Sequence, residues 1–137
     1  INNHHILLKM NNIPKIKSYV LRETPIDLVE MLKSDDQEIE TKYMMFSKDN
    51  SDYIRLATAY CNHEDIVNKF SKECNGESFE TCGGGFITGA IDKEEIFLAL
   101  NKKSQDYGQA DHKKAKTILE SYIKNINTQK KLVCEIL

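Results

Sequence analysis

Read from its amino end, the chain sets apolar residues at three- and four-residue steps, the spacing of one helix face. A side chain able to cap a helix stands before nearly every run. Asn12 precedes Ile13, Ile16 and Val20, and Thr24 precedes Pro25, Leu28, Val29 and Leu32. Ser34, with Gln37 three residues on, precedes Ile39, Tyr43 and Phe46, and Ser51 precedes Ile54, Ala57 and Cys61. Asn62 leads into Ile66, Val67 and Phe70, Asp92 into Ile96, Phe97 and Leu100, and Asp111 into Ala115, Ile118, Leu119, Tyr122 and Ile126. Oxygens at these positions accept the first-turn amides that a helix leaves unsatisfied. The only prolines, Pro14 and Pro25, lie near proposed helix starts, where proline is tolerated. The pattern predicts an all-α fold of short helices in pairs: 4–11 with 13–21, 25–33 with 35–46, 52–61 with 63–74, and 86–91 with 93–104.

The second helices share a local pattern: a cap, a few polar residues, an isoleucine, then an apolar residue four further on. Ile16, Ile39, Ile66 and Ile96 align in this way. Helix pairs recurring at such an interval are the signature of an α-solenoid. Residues 24–29, T-P-I-D-L-V, 57–67, A-T-A-Y-C-N-H-E-D-I-V, and 84–96, G-G-F-I-T-G-A-I-D-K-E-E-I, resemble degenerate ankyrin repeats. The likeness covers roughly residues 5–104, with repeats shorter than the ~33 residues of that family. It implies stacked helix pairs over 1–104 and a C-terminal helical cap over 105–137 in the same domain. His63 would fill the family's Gly-His position and hydrogen-bond between repeats.

The 137 residues fit one domain, and 40% hydrophobic content suffices for a core at that length. A net charge of −2 with only Arg22 and Arg55 as arginines argues against nucleic acid as partner. No apolar run approaches the ~18 residues of a membrane span, and no signal peptide is visible. The chain begins at Ile1 instead of Met, which reads as a piece trimmed from a longer protein. Its four cysteines are too sparse for a disulfide scaffold and read as thiols in a reducing, cytoplasmic compartment. Cys74–Cys82 is the one pair worth testing for a bridge.

Four constellations could carry chemistry. The run Cys82-Gly83-Gly84-Gly85 before a predicted helix could cradle an anion with its amides, although a positive-φ turn is the plainer reading. Cys82 could act as a nucleophile with His63 or His112. Cys61, His63, Cys74 and Cys82 can be written as a zinc set, but they lack the tight knuckle of known zinc motifs. Asp35-Asp36 and Glu94-Glu95 are paired carboxylates at predicted helix starts, where they complement the dipole.

The function expected from this architecture is a protein-binding scaffold, not an enzyme, with no cofactor, no metal and another protein as partner. Its binding edge would be formed by loops 47–53 and 75–85. Lys48, Asp49, Asn50, Tyr53, Glu77, Phe79 and Glu80 are the expected contacts, with Phe79 as an aromatic anchor. Packing of Phe79 under its own loop is an equal alternative. A small thiol enzyme centred on Cys82, or a regulatory segment of a longer chain, is the alternative function.

Overall fold

In the computed structural model, the described residues are 13–19, 27–58, 60–101, 107–127 and 129–137. They form one six-stranded mixed sheet with helices on both faces. The strands are β1 (Ile16–Ser18), β2 (Gln37–Lys48), β3 (Ser51–Thr58), β4 (Glu80–Ile91), β5 (Glu95–Asn101) and β6 (Lys131–Ile136). The helices are α1 (Leu28–Leu32), α2 (His63–Glu73) and α3 (His112–Ile126). The spatial order is β1-β3-β2-β4-β5-β6, parallel at the two outer pairs and antiparallel within.

The all-α, ankyrin-like solenoid is therefore wrong, and the reason is local. The described part of 13–21, and the stretches 35–46, 52–61, 86–91 and 93–104, are not helices but contain or lie within strands. In β2 the residues Tyr43, Met44, Met45 and Phe46 are all buried, because a central strand is covered on both faces. A continuous apolar run of that kind satisfies a helical template as readily as a strand. The polar residues taken for caps do their work in turns. Asp49 and Asn50, at φ 51° and 63°, make the two-residue turn that pairs Lys48 with Ser51. The Asp92 carboxylate accepts from the Glu94 and Glu95 amides between β4 and β5. These bonds hold its pKa low. The Ser34 hydroxyl accepts from the Asp36 amide ahead of β2.

Three predicted helices stand, and two begin on the residue the sequence marks. Asn62 caps α2 in a capping box with Asp65, and Asp111 caps α3 by accepting from the Lys114 amide. Helix α1 is capped by Asp27 in place of Thr24, which lies outside the described residues together with the predicted helix 4–11. The segment 105–137 is not a helical cap: α3 covers the sheet and β6 extends it.

Strand alternation splits the apolar side chains into two cores. On the first face, Ile39, Tyr43, Met45, Ile54, Leu56, Ile87 and Leu98 meet Leu32 of α1 and Ala115, Leu119 and Ile123 of α3. On the second face, Met44, Phe46, Tyr53 and Ala57 meet Ile66 and Phe70 of α2. The Phe46 and Phe70 rings stack at 4.1 Å. Burying each such ring contributes about 1.5–3 kcal/mol.

The carboxyl end of α2 is pinned by charge. Glu73, on its last turn, receives bidentate hydrogen bonds from the fully buried Arg55 of β3 at 2.9 and 3.0 Å, and a further one from the Tyr19 hydroxyl. Burial alone would raise the Glu73 pKa, but these bonds and the Arg55 charge outweigh it and hold the carboxyl below its ordinary value.

Candidate functional site

The other end of α2 carries a histidine beside the Asn62–Asp65 capping box, with Glu64 also in the first turn. His63 is the first residue of the helix and only 7% exposed. Its ring lies across β4. Nε2 is 3.4 Å from the Gly85 carbonyl oxygen, and the ring meets Phe86 edge-on at 6.0 Å between centroids. This closeness needs glycine at position 84, because a Cβ there would stand 2.9 Å from the His63 ring, 2.7 Å from the Met44 sulfur and 2.6 Å from the Tyr43 carbonyl oxygen.

A cation joins from the neighbouring strand. Lys42 of β2 points to the second face, and its ammonium donates to the Cys61 carbonyl just before α2. The same ammonium lies 5.6 Å from the centre of the Phe86 ring. Among the described residues no carboxylate is within ion-pair distance of it. The segment Gly108–Ala110 closes the third side. Gly84 donates its amide to the Gly108 carbonyl at 3.1 Å, and Ala110 donates to the Gly84 carbonyl at 3.2 Å. Tyr107, at the start of this segment, packs against the second core.

An imidazole, an ammonium and the amino end of an eleven-residue helix thus share one face of β4. Helix amino ends attract anions through their unpaired amides and the positive end of the dipole. The glycine run, read as a positive-φ turn or an anion cradle, has other surroundings than expected. The glycines do not precede a helix; they form the floor of a strand on which the His63 ring rests.

The other sequence-derived candidates are scattered. Cys61 and Cys74 are buried, Cys82 is half-buried, and all are free thiols. Among the described residues no three His, Cys, Asp or Glu side chains gather as a metal site, so Cys61, His63, Cys74 and Cys82 do not converge. Burial, then Asp52 and Glu80, push the Cys82 thiol up, away from the thiolate a nucleophile needs. Asp35 pairs with Lys130, and Glu94 and Glu95 lie at the β4–β5 turn.

Of the expected loops 47–53 and 75–85, residues 51–53 belong to β3 and 80–85 to β4, and the turns that remain lie at one end of the sheet. Lys48 is buried, with its ammonium 3.0 Å from Glu77 and 3.7 Å from Asp49. Tyr53 and Phe79 pack on Phe70, at 5.9 and 5.1 Å between ring centres. Asp49, Asn50, Glu77 and Glu80 are exposed. Lys42 was missed by sequence reading because its partners come from three separate elements. Once β2 and β3 are joined through the Asp49–Asn50 turn, strand alternation sends Lys42 to the same face as Met44 and α2.

This geometry belongs to a class of helix-covered mixed sheets with a histidine at a helix start. The chain is a member of the Janus/Ocnus family (Ocnus), whose sequence model matches residues 35–127, from the approach to β2 to just past α3. The match takes in His63, Lys42, the glycine run and His112, and it replaces the ankyrin likeness. A comparison with curated proteins finds no match. Among the described residues no helix is long and apolar enough to cross a membrane.

Proposed function

We propose that the protein binds a phosphoryl group at the amino end of α2 and promotes its transfer to water, with His63 as the base. One observation carries this reading: a buried imidazole on the first turn of a helix, with an ammonium held near it that meets no carboxylate among the described residues. Lys42 and the His63 and Glu64 amides would hold the phosphoryl oxygens. His63 would take a proton from the attacking water as the new O–P bond forms. The bond from phosphorus to the leaving group would break, and the proton would pass to that group. One imidazole, one ammonium and one helix end form a modest array, which suits a labile phosphoryl donor such as a P–N compound better than an alkyl phosphate.

The test is direct. Inorganic phosphate titrated into the labelled protein should shift the His63 ring and the amides of residues 63–65 in NMR spectra. Phosphoramidate should be hydrolysed faster than a phosphate monoester, and His63→Ala should abolish turnover. Phosphate that leaves the His63 signals unmoved would sink the reading.

The protein-binding edge is the second reading. It is favoured by the exposed carboxylates of Asp49, Glu77 and Glu80, which stand together with Asn50 at one end of the sheet. Charge reversal at Glu77 and Glu80 should then abolish capture of the partner.

A further inference from the structure

Helix α2 covers only part of its face. It packs on β2 and β3, and beside His63 the second face of β4, β5 and β6 carries several side chains that keep partial exposure. Alternation identifies what lies there. Ile87, Ile91, Ile96, Leu98 and Cys134 belong to the first core, so Phe86, Thr88, Phe97, Ala99 and Val133 point the other way. Phe86, Phe97 and Val133 are half-buried and belong to neither core.

The rim of this surface is acidic. Glu38 and Glu40 of β2 stand opposite Ala90 and Thr88, and Glu135 of β6 stands opposite Ala99. All three are exposed, and none forms an ion pair among the described residues. Glu95 and Lys131 face each other across the far end. The near end is cationic through Lys42. From Lys42 to Glu38 the strand rises about 13 Å, and from β2 to β6 the sheet spans about 14 Å.

Three hollows lie elsewhere. One of about 480 Å³ is bounded by Lys15, Asp52, Ile118 and Tyr122, and two more, of about 430 and 310 Å³, flank α1; none of the three includes His63 or Lys42. Small free ligands favour concave sites. A flat face with apolar centre and acidic rim fits a segment of polypeptide instead.

We infer that the open half of the second face docks an extended basic segment of another protein, about four residues long. Its apolar stems lie on Phe86, Phe97 and Val133, and its cations meet Glu38, Glu40 and Glu135. That the segment delivers a phosphoryl group to His63 rests on the function proposed above; the docking itself does not.

The probe is a fluorescein-labelled octapeptide of alternating Lys and Ala, followed by anisotropy on the whole chain at low salt. It should bind, weaken with added salt, and outcompete the alternating Glu-Ala peptide. Glu38→Lys with Glu40→Lys should weaken it at least about tenfold, and the pair Glu38→Gln with Glu40→Gln should fall between. Failure of the Lys-Ala peptide to bind, equal binding of the Glu-Ala peptide, or indifference to both double variants overturns the docking surface. Peptide binding without any phosphate effect on His63 upholds the docking and overturns the phosphoryl reading alone.

Discussion

His63 and His112 are the same device used twice. Each is the first residue of a helix, each is 7% exposed, and each rests on a glycine of β4. The glycines are consecutive, so strand alternation turns them to opposite faces. A Cβ at Gly84 would stand 2.9 Å from His63, and one at Gly85 would stand 2.9 Å from His112. The partners differ. His112 has side chains at both ring nitrogens: the Tyr43 hydroxyl at Nδ1, and the Gln109 amide oxygen 3.1 Å from Nε2. Tyr43 is fully buried, and burial first, then Asp111 and Cys134, hold its hydroxyl protonated far above neutral pH. His63 meets a backbone carbonyl at 3.4 Å, an aromatic edge and, through Phe86, a cation. A ring fixed by side chains on both sides serves packing. A ring beside an ammonium that meets no carboxylate among the described residues can serve chemistry.

The largest effect expected from this contrast is on turnover. His63→Ala should lower phosphoramidate hydrolysis by about three orders of magnitude, the usual worth of a general base. His112→Ala should lower it less than about tenfold, by loosening the Gly108–Ala110 segment that Gln109 anchors. Equal losses would mean that both rings are catalytic, or neither is.

Stability should show the reverse order. His112→Ala strands the buried Tyr43 hydroxyl and should cost about 2–3 kcal/mol in urea unfolding. His63→Ala should cost less than about 1 kcal/mol, because it removes a contact to the Gly85 carbonyl at 3.4 Å and an edge contact to Phe86. Adding Tyr43→Phe to His112→Ala should recover part of the loss, since the two groups are one unit.

The glycines refine the contrast. Gly84→Ala and Gly85→Ala should each cost about 1–3 kcal/mol through crowding. At Gly84 the Met44 side chain can yield, but His63 must move as well, so phosphate affinity should fall. At Gly85 the Asn101 carbonyl, 2.7 Å from the added carbon, is fixed by the ladder to β4, and phosphate affinity should hardly change. A variant of Gly84 that binds phosphate normally would show that the ring position does not matter.

Much of this pair was legible in the sequence, piece by piece. Asn62 and Asp111 announced the two helices that carry the histidines, and the glycine run was singled out, as a positive-φ turn with an anion cradle as the alternative. What the sequence hid was the sheet. Tyr43 to Phe46 and Ile54 to Ala57 are buried on both sides, so they show no period-2 alternation to set against the helical template. Ser34 and Asp92 hydrogen-bond turn amides with the chemistry of helix caps, and so counted for helices that do not form. The signal that would have corrected this was Asp49-Asn50 between two apolar runs, a two-residue turn of the hairpin type. With that hairpin drawn, Lys42 falls on the α2 face and the site assembles. Asp49, Asn50 and Glu77 stay at the surface, but Phe79 lies under its loop against Phe46, at 5.6 Å between ring centres.

The smallest effect should come from the thiol. Cys82 borders the glycine run in sequence but packs with the first core, on the side of His112. Its sulfur lies 3.9 Å from the Glu80 carbonyl oxygen, and burial, Asp52 and Glu80 all disfavour the thiolate, with Lys114 opposing. A nucleophilic cysteine needs the opposite surroundings. Cys82→Ser should therefore change turnover by less than about twofold, against the three orders expected at His63. Iodoacetamide at pH 7 should label Cys82 more slowly than a free thiol such as glutathione. Labelling of Cys82 faster than glutathione, together with loss of turnover in Cys82→Ser, would move the chemistry to the first face. His112, not His63, would then be the histidine to test as its base.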